Sequence, residues 1–528
     1  MRDVHSRKMK ETARIAVRGS VLRVISLAAT TLVAFFMMPF LVHRLGDHVY
    51  GYWVLAGTIL GYYGLMDLGI VSAVQFYVAK ALGEDDPASA NRAISTAFFA
   101  FAALGLAITL ITVVVALFSH VFIRSSSDAS VFRAVLLIMG CGFAVGFPGR
   151  AFVGALSAYL RWDLISSIGV GVLLFRTVII VAVINAGWGI VSLAAVTVSS
   201  DVLTYAFYYF VLKHIRTEFR LSATRASLKA LKEVFRYSAI TLIVKISDQL
   251  RFYIDVFVVS AILSVGAVTH YAIASRLALS YRELMIALFG ILSPLFSQWL
   301  GSKDYLRTKR VFVISTKLSL SVGAMIASGM ILYGRGFIEL WMGKDYLDAY
   351  WPLVFLASGV FFEISQIPAM GYMYGTSKHH FLAYMNLVEG SFNAILSICL
   401  ARKYGMKGVA LGTLIPMAVA WFLIQPLYVC RQIGLPIRVF YTNIFGRATG
   451  VTVIGMLLPW FLCFSWFTQA KFATFVPFVA CQTIIALAVS YLFAFGTDER
   501  ADILRALFPE KHRRSINASA ELQAESLV

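Results

Sequence analysis

Residues 94–119 read ISTAFFAFAALGLAITLITVVVALFS, a stretch without one charged side chain. As a helix rising about 1.5 Å per residue it covers about 39 Å. That exceeds the hydrocarbon core of a bilayer, about 30 Å. The same texture recurs on both sides of it. Mainly apolar blocks fall at 19–43, 50–80, 94–119, 132–157, 163–186, 188–212, 236–262, 271–298, 311–333, 350–374, 381–400, 407–430, 444–467 and 472–496, with short polar stretches between them. A twenty-residue criterion therefore predicts about fourteen transmembrane helices. Over all 528 residues, 59% are hydrophobic and 14% charged, against about 25% charged in soluble domains. One large soluble core cannot absorb the difference, because such cores stop growing at about 250–300 residues. The expected fold class is an all-α integral membrane protein.

The formal net charge of +19 follows the membrane rather than a nucleic acid, because the basic residues gather in alternate loops. Arg2, Arg7, Lys8, Lys10, Arg14 and Arg18 precede the first span, and Lys213, Arg216, Arg220, Arg225, Lys229 and Lys232 follow the sixth. With the N-terminus cytoplasmic, roughly 29 loop Lys and Arg lie inside and roughly 9 outside. Arg402, Lys403 and Lys407 are the main dissent. An even number of spans then puts both termini in the cytoplasm. The basic start runs into a segment long enough to span with no small-residue cleavage site, so no cleavable signal is expected. No outside loop is long enough to form a domain.

An internal repeat organises the spans. Residues 82–86 (LGEDD), leading to Arg92, match 300–304 (LGSKD), leading to Arg310, at an offset of 218. Phe147-Pro148 matches Ile367-Pro368, Gly187-Trp188-Gly189 matches the link 403–408, and Gly46 with Tyr52 matches Gly266 with Tyr271, all at nearly the same offset. Fixed-period anchors in register with the spans indicate duplication. Six spans return the chain to the same side, so the repeats are parallel, about an axis along the membrane normal. The expected organisation is an N-lobe at 1–220, a C-lobe at 221–440, and two extra spans with a tail at 441–528. The substrate path is expected between two pseudo-symmetric six-helix lobes.

Charges inside the spans are the candidate functional residues. Residues 237–263 around the seventh span, YSAITLIVKISDQLRFYIDVFVVSAIL, hold Lys245, Asp248, Arg251 and Asp255 on one arc of about 120° at i,i+3 and i,i+4 spacings. A charge at mid-bilayer costs at least ~2.5–3.5 kcal/mol, so these four either pair with one another or line a wet cavity, and the two readings are compatible. The eighth span adds Arg276, Arg282 and Glu283. In the first lobe Arg176 and Asp201 sit deep in spans five and six, and Arg23 snorkels near the start of span one. Asp67 either partners an arginine or binds a coupling cation. Glu363, Asn386, Glu389 and Asn393 place further polar groups in spans ten and eleven. Arg176, Lys245, Arg251, Arg276 and Arg282 are the candidate substrate grips, because a guanidinium fork suits phosphate. Asp67, Asp248, Asp255, Glu283 and Glu363 are the candidate ion-pairing or coupling carboxylates, which keep an empty cavity near neutral. That balance favours an anionic or amphiphilic cargo.

Other chemistries lack their motifs. There is no Walker A loop, HExxH, Cys/His metal cluster or G-x-S-x-G elbow. Cys141, Cys399, Cys430, Cys463 and Cys481 all lie in apolar stretches without metal-ligand spacing. His379-His380 reads as an interfacial pair, and aromatic residues near span ends read as membrane belts. No metal and no cofactor are expected, while Na+ or H+ coupling stays open.

Residues 45–53 (LGDHVYGYW) with 66–70 (MDLGI), 336–343 (GFIELWMG) and 404–410 (YGMKGVA) resemble phrases of Wzx-like polysaccharide flippases, in the multidrug/oligosaccharidyl-lipid/polysaccharide (MOP) exporter superfamily. The resemblance covers nearly the whole chain. It implies two six-helix lobes around a cationic cavity, spans thirteen and fourteen outside them, and alternating access by lobe rocking. It implies no enzyme. The cargo would be an undecaprenyl-diphosphate-linked oligosaccharide, a polyprenyl-diphosphate-linked glycan moved across the bacterial cytoplasmic (inner) membrane for exopolysaccharide, capsule or O-antigen biosynthesis. Its partners would be membrane lipids and the polysaccharide polymerase and glycosyltransferases of that pathway, with no nucleic acid. The competing readings are a peptidoglycan lipid II flippase, an ion-coupled drug exporter, which usually stops at twelve spans, and a membrane glycan polymerase or ligase, which usually needs a sizeable periplasmic loop.

Overall fold

A computed structural model describes residues 2–119, 126–216, 219–222, 246, 249, 251, 253–290, 292–302, 304–376, 378–462 and 472–507. Its regular elements are helices throughout, with no strand among the described residues. In chain order they are α1 (Arg2–Leu45), α2 (Asp47–Tyr63), α3 (Ile70–Gly83), α4 (Pro87–Leu117), α5 (Ser126–Gly146), α6 (Arg150–Ala158), α7 (Trp162–Asn185) and α8 (Gly189–Ile215). Then follow α9 (Tyr253–Ile262), α10 (Val265–Phe289), α11 (Leu292–Gly301), α12 (Tyr305–Trp341), α13 (Tyr350–Ile364), α14 (Ile367–Gly375), α15 (His379–Ala418) and α16 (Gln425–Ile433). The chain closes with α17 (Ile437–Leu462), α18 (Phe472–Phe493) and α19 (Thr497–Leu507).

The helices carry the faces of a membrane protein. On α4, Leu106, Leu110, Val113, Val114 and Leu117 are exposed while Phe101, Ile108 and Ala116 are buried. An apolar face left open on that scale belongs against lipid. Ten helices among the described residues are long and apolar enough to cross a bilayer. The difference from the expected fourteen has identifiable sources. The continuous helix His380–Ile433 holds two expected spans, 381–400 and 407–430. It bends at Gly405, whose φ of 59° and ψ of −141° suit a residue without a Cβ. Arg276, Arg282 and Glu283 interrupt the apolar run of α10. Span seven is described only from residue 246, and the run Pro477–Phe493 is short.

The repeat anchors share local structure. Asp86 caps α4 by accepting the Ser89 amide at 3.0 Å, and Asp304 caps α12 by accepting the Arg307 amide at 3.1 Å. The Ser89 hydroxyl and amide hold the Asp86 carboxyl below the usual range. Pro148 and Pro368 each sit in the first turn of a short helical piece after a break in a span.

The chain divides into two compact units, residues 1–276 with 382–413, and 277–381 with 414–528. In the first, α7 packs against α1 and α8, α5 against α4 and α8, and α3 against α4 and α6. In the second, α12 packs against α13, α14, α17 and α18.

Candidate functional site: charges held inside the membrane helices

In the first unit Arg251 is fully buried, and its Nη2 donates to Glu389 Oε2 on α15 at 2.6 Å. Both side chains are 1% exposed. Asn393, one turn along α15, donates to the Arg251 carbonyl at 2.9 Å and fixes the helix beside the pair. Arg251 thus pairs across helices, with Glu389. Lys245 and Asp248 lie outside the described residues.

Asp255 sits one turn further along on α9 and is also buried. Its carboxylate accepts the Tyr271 hydroxyl at 2.6 Å, the Thr413 hydroxyl at 2.7 Å and the Ser397 hydroxyl at 3.3 Å. Ser397 Oγ is also 2.8 Å from Asn393 Oδ1 and 3.1 Å from the Val409 carbonyl, and Thr413 Oγ1 is 3.3 Å from each of the same two oxygens. One carboxylate, three hydroxyls, an amide oxygen and a main-chain carbonyl thus converge. Close helix approach makes this possible, since a Cβ on Gly412 would stand 2.5 Å from Ser397 N. Among the described residues no group of three or more His, Cys, Asp or Glu could hold a metal ion. The cluster surrounds one buried carboxylate with hydroxyl donors from two other helical segments.

The second unit holds the other strong pair. Arg282 Nε and Nη2 donate to Glu363 Oε2 and Oε1, both at 2.9 Å. This fork fixes one edge of the guanidinium. The Glu363 side chain is 3% exposed, whereas that of Arg282 is 21% exposed. Glu283, next to it, is exposed.

Arg176 Nη1 donates to Asp201 Oδ1 at 3.3 Å between α7 and α8, with the aspartate side chain 59% exposed. Asp67 is buried at the break between α2 and α3, where Oδ1 accepts the Val71 amide at 3.4 Å. Arg276 is half-buried, within electrostatic reach of the Tyr50 hydroxyl. Arg23 stacks 4.7 Å from the Trp162 ring, so it has a partner beyond snorkelling.

Three residues were not singled out from sequence. Arg150 stacks on Phe143 and Phe147 at 5.2 and 4.8 Å. Its signal was an arginine inside the apolar block 132–157. Thr413 and Ser397 gave no signal of their own, because hydroxyls in membrane helices usually bond to the carbonyl four residues back, as Thr58 does here at 2.9 Å.

A family model described as "Polysaccharide biosynthesis protein" matches residues 65–351. The chain is 20% identical over 478 residues to the "Uncharacterized membrane protein EpsK" of Bacillus subtilis (strain 168), covering 87% of this chain and 90% of that one. It is 22% identical over 421 residues to the "Putative O-antigen transporter" of Shigella flexneri, covering 78% and 97%. Among solved structures, the lipid II flippase MurJ in an inward closed conformation superposes with a TM-score of 0.69 at 16% identity, covering 93% of this chain and all of that one. A MATE multidrug resistance transporter of the MOP superfamily, inward-facing, gives 0.60 at 14% identity, covering 76% and 98%. These folds belong to a flippase and a transporter. The family match and the two relatives agree with the polysaccharide-exporter resemblance read from residues 45–53, 66–70, 336–343 and 404–410, and the fold is shared with that flippase and that transporter.

Proposed function

Given that the chain belongs to the polysaccharide biosynthesis protein family, we propose that it is a flippase that moves an undecaprenyl-diphosphate-linked oligosaccharide across the bacterial cytoplasmic membrane. The observation that carries this reading is the Arg282–Glu363 pair. Its guanidinium is held on one edge by a buried carboxylate and remains 21% exposed. Such a group sits ready-oriented inside an apolar helix, and its planar guanidinium suits a phosphate better than a point charge would. Arg176, half-exposed beside Asp201, is a second contact of the same kind.

The cargo keeps its lipid tail in the bilayer while its charged head crosses by alternating access between two six-helix lobes. Fourteen crossings with both termini cytoplasmic, a glycosyltransferase supply of cargo and a polymerase downstream complete the proposal. Na+ or H+ drives the cycle, and the oxygen cluster around Asp255 is the seat of that coupling.

The test is removal of the gene. Surface polysaccharide is expected to disappear while lipid-linked repeat units accumulate on the cytoplasmic leaflet. A normal leaflet distribution in that strain overturns the reading. The MurJ-like fold supports one alternative, lipid II as cargo. That alternative predicts loss of cell-wall integrity with polysaccharide export intact.

A narrower expectation concerns the fork. Arg282→Lys keeps the charge but replaces two fixed parallel donors by one point charge. Transport should fall about tenfold or more, with the amount of protein in the membrane unchanged. Export at the wild-type rate would remove Arg282 from the cargo path.

A further inference from the structure

Lys317 is a buried cation that nothing in the proposed transport path uses. It lies on α12 inside the expected ninth span and is 6% exposed. An unpaired ammonium there would be costly. Its Nζ lies 2.8 Å from both carboxylate oxygens of Glu499, on α19 beyond the last span. Glu499 is pre-set for this contact, because its Oε2 also accepts the Gly496 amide at 2.8 Å at the start of its own helix. One further pair joins the same two helices. Arg310 Nε is 2.5 Å from Asp502 Oδ2. Positions 310 and 317 share one face of α12, and 499 and 502 share one face of α19. The elbow before α19 is packed, with Ala494 and Phe495 buried and the Phe495 carbonyl accepting Arg500 Nε at 3.1 Å. Deeper along α12, the Tyr333 hydroxyl donates to Gln482 on α18, and Gln482 donates to the Met456 carbonyl on α17.

We infer that α19 is an electrostatic brace that locks the last two helices to α12 and stays closed throughout the working cycle. Spans thirteen and fourteen stand outside the repeat, and a pair of hydrogen-bonded helices alone could slide along a lipid-facing surface. Two charge pairs and one amide–hydroxyl tie at separate depths remove that freedom. Opening the inner pair would leave the buried Lys317 ammonium without its carboxylate, so it is built to persist rather than to switch. The inference does not depend on which cargo is carried.

The test uses the full-length protein. Lys317→Met and Glu499→Gln are made singly and together, and thermal unfolding in detergent is measured. Each single variant should lower the midpoint by at least about 3 °C, and the double variant should be no less stable than the worse single one. Strictly additive shifts overturn the pairing. Lys317→Glu with Glu499→Lys should recover most of the loss.

A second measurement stands if a single variant fails to fold. Arg310→Cys and Asp502→Cys are introduced with the five native cysteines replaced, then bridged by a flexible bifunctional thiol reagent about 10 Å long, since a direct disulfide needs Cα atoms within about 7 Å. Bridging should leave unchanged whichever export the removal of the gene abolishes. Export that stops on bridging and resumes when the bridge is cleaved shows a contact that must open, and overturns the brace.

Discussion

Glu389→Ala is expected to cost roughly 3–5 kcal/mol of stability, enough to deplete the folded protein from the membrane. The argument rests on burial. Arg251 is fully enclosed, and its 2.6 Å bond to Glu389 is screened by neither water nor lipid headgroups. Removing the carboxylate leaves a guanidinium whose charge has no solvent to return to. Net stabilities of about 5–15 kcal/mol leave little room for such a loss. Arg251→Ala should behave in the same way. From sequence alone, Arg251→Ala is expected to impair transport with protein levels maintained. Its enclosure predicts instead that protein level falls first. Replacing both partners by methionine removes both charges together and should restore much of the stability. Membrane abundance and the thermal midpoint of purified protein read all three variants. Wild-type values for Glu389→Ala would contradict the structural role of the pair.

Asp255→Asn is expected to abolish ion dependence while the protein still folds. Asparagine matches aspartate in size, and its amide oxygen can still accept the hydroxyls of Tyr271 and Thr413, which now reach Asp255 at 2.6 and 2.7 Å. What it loses is the negative charge on which the proposed coupling at Asp255 depends. Transport should drop about tenfold or more and stop responding to the ion that drives the wild-type protein, corresponding to a loss of about 1.4 kcal/mol or more. Thr413→Ala removes one neutral oxygen and should raise the ion concentration needed for half-maximal rate without abolishing the response. The assay compares an imposed Na+ gradient with an imposed proton gradient across vesicles containing each variant. An Asp255→Asn protein that responds to both gradients as the wild type does would place coupling elsewhere, with Asp67 the next carboxylate to examine.

Much of the architecture was legible because its signals are local. Apolar block length marks the helices, and the matched anchors at 82–86 and 300–304 turn out to be the same N-cap, Asp86 on one and Asp304 on the other. Several of the buried charges, Arg251, Asp255 and Glu363 among them, were legible for the same reason, although Arg150 and Lys317, also inside expected spans, were not singled out. The partners of the buried charges were not legible. Arg251 and Glu389 are 138 positions apart, and Arg282 and Glu363 are 81 apart, so no spacing rule within one helix joins them. The helical arc of span seven could not show Glu389, because a single sequence sees only i,i+3 and i,i+4 neighbours. The hydroxyl ring around Asp255 was hidden for a different reason, since nothing in the sequence distinguishes Ser397 and Thr413 from hydroxyls that bond only to their own helix. Arg176 and Asp201, on consecutive spans, show the intermediate case, in which short connections bring the carriers of two charges side by side.

The central claim is that this chain moves a diphosphate-linked glycolipid between leaflets. The most direct measurement reconstitutes the purified protein in vesicles containing a fluorescent undecaprenyl-diphosphate oligosaccharide and follows the fraction accessible to a membrane-impermeant quencher. With the driving ion gradient imposed, label should leave the quenchable leaflet at a rate proportional to protein, and Arg282→Lys should slow that rate about tenfold or more. Redistribution no faster than in protein-free vesicles, from protein shown to be folded and correctly inserted, would contradict the account.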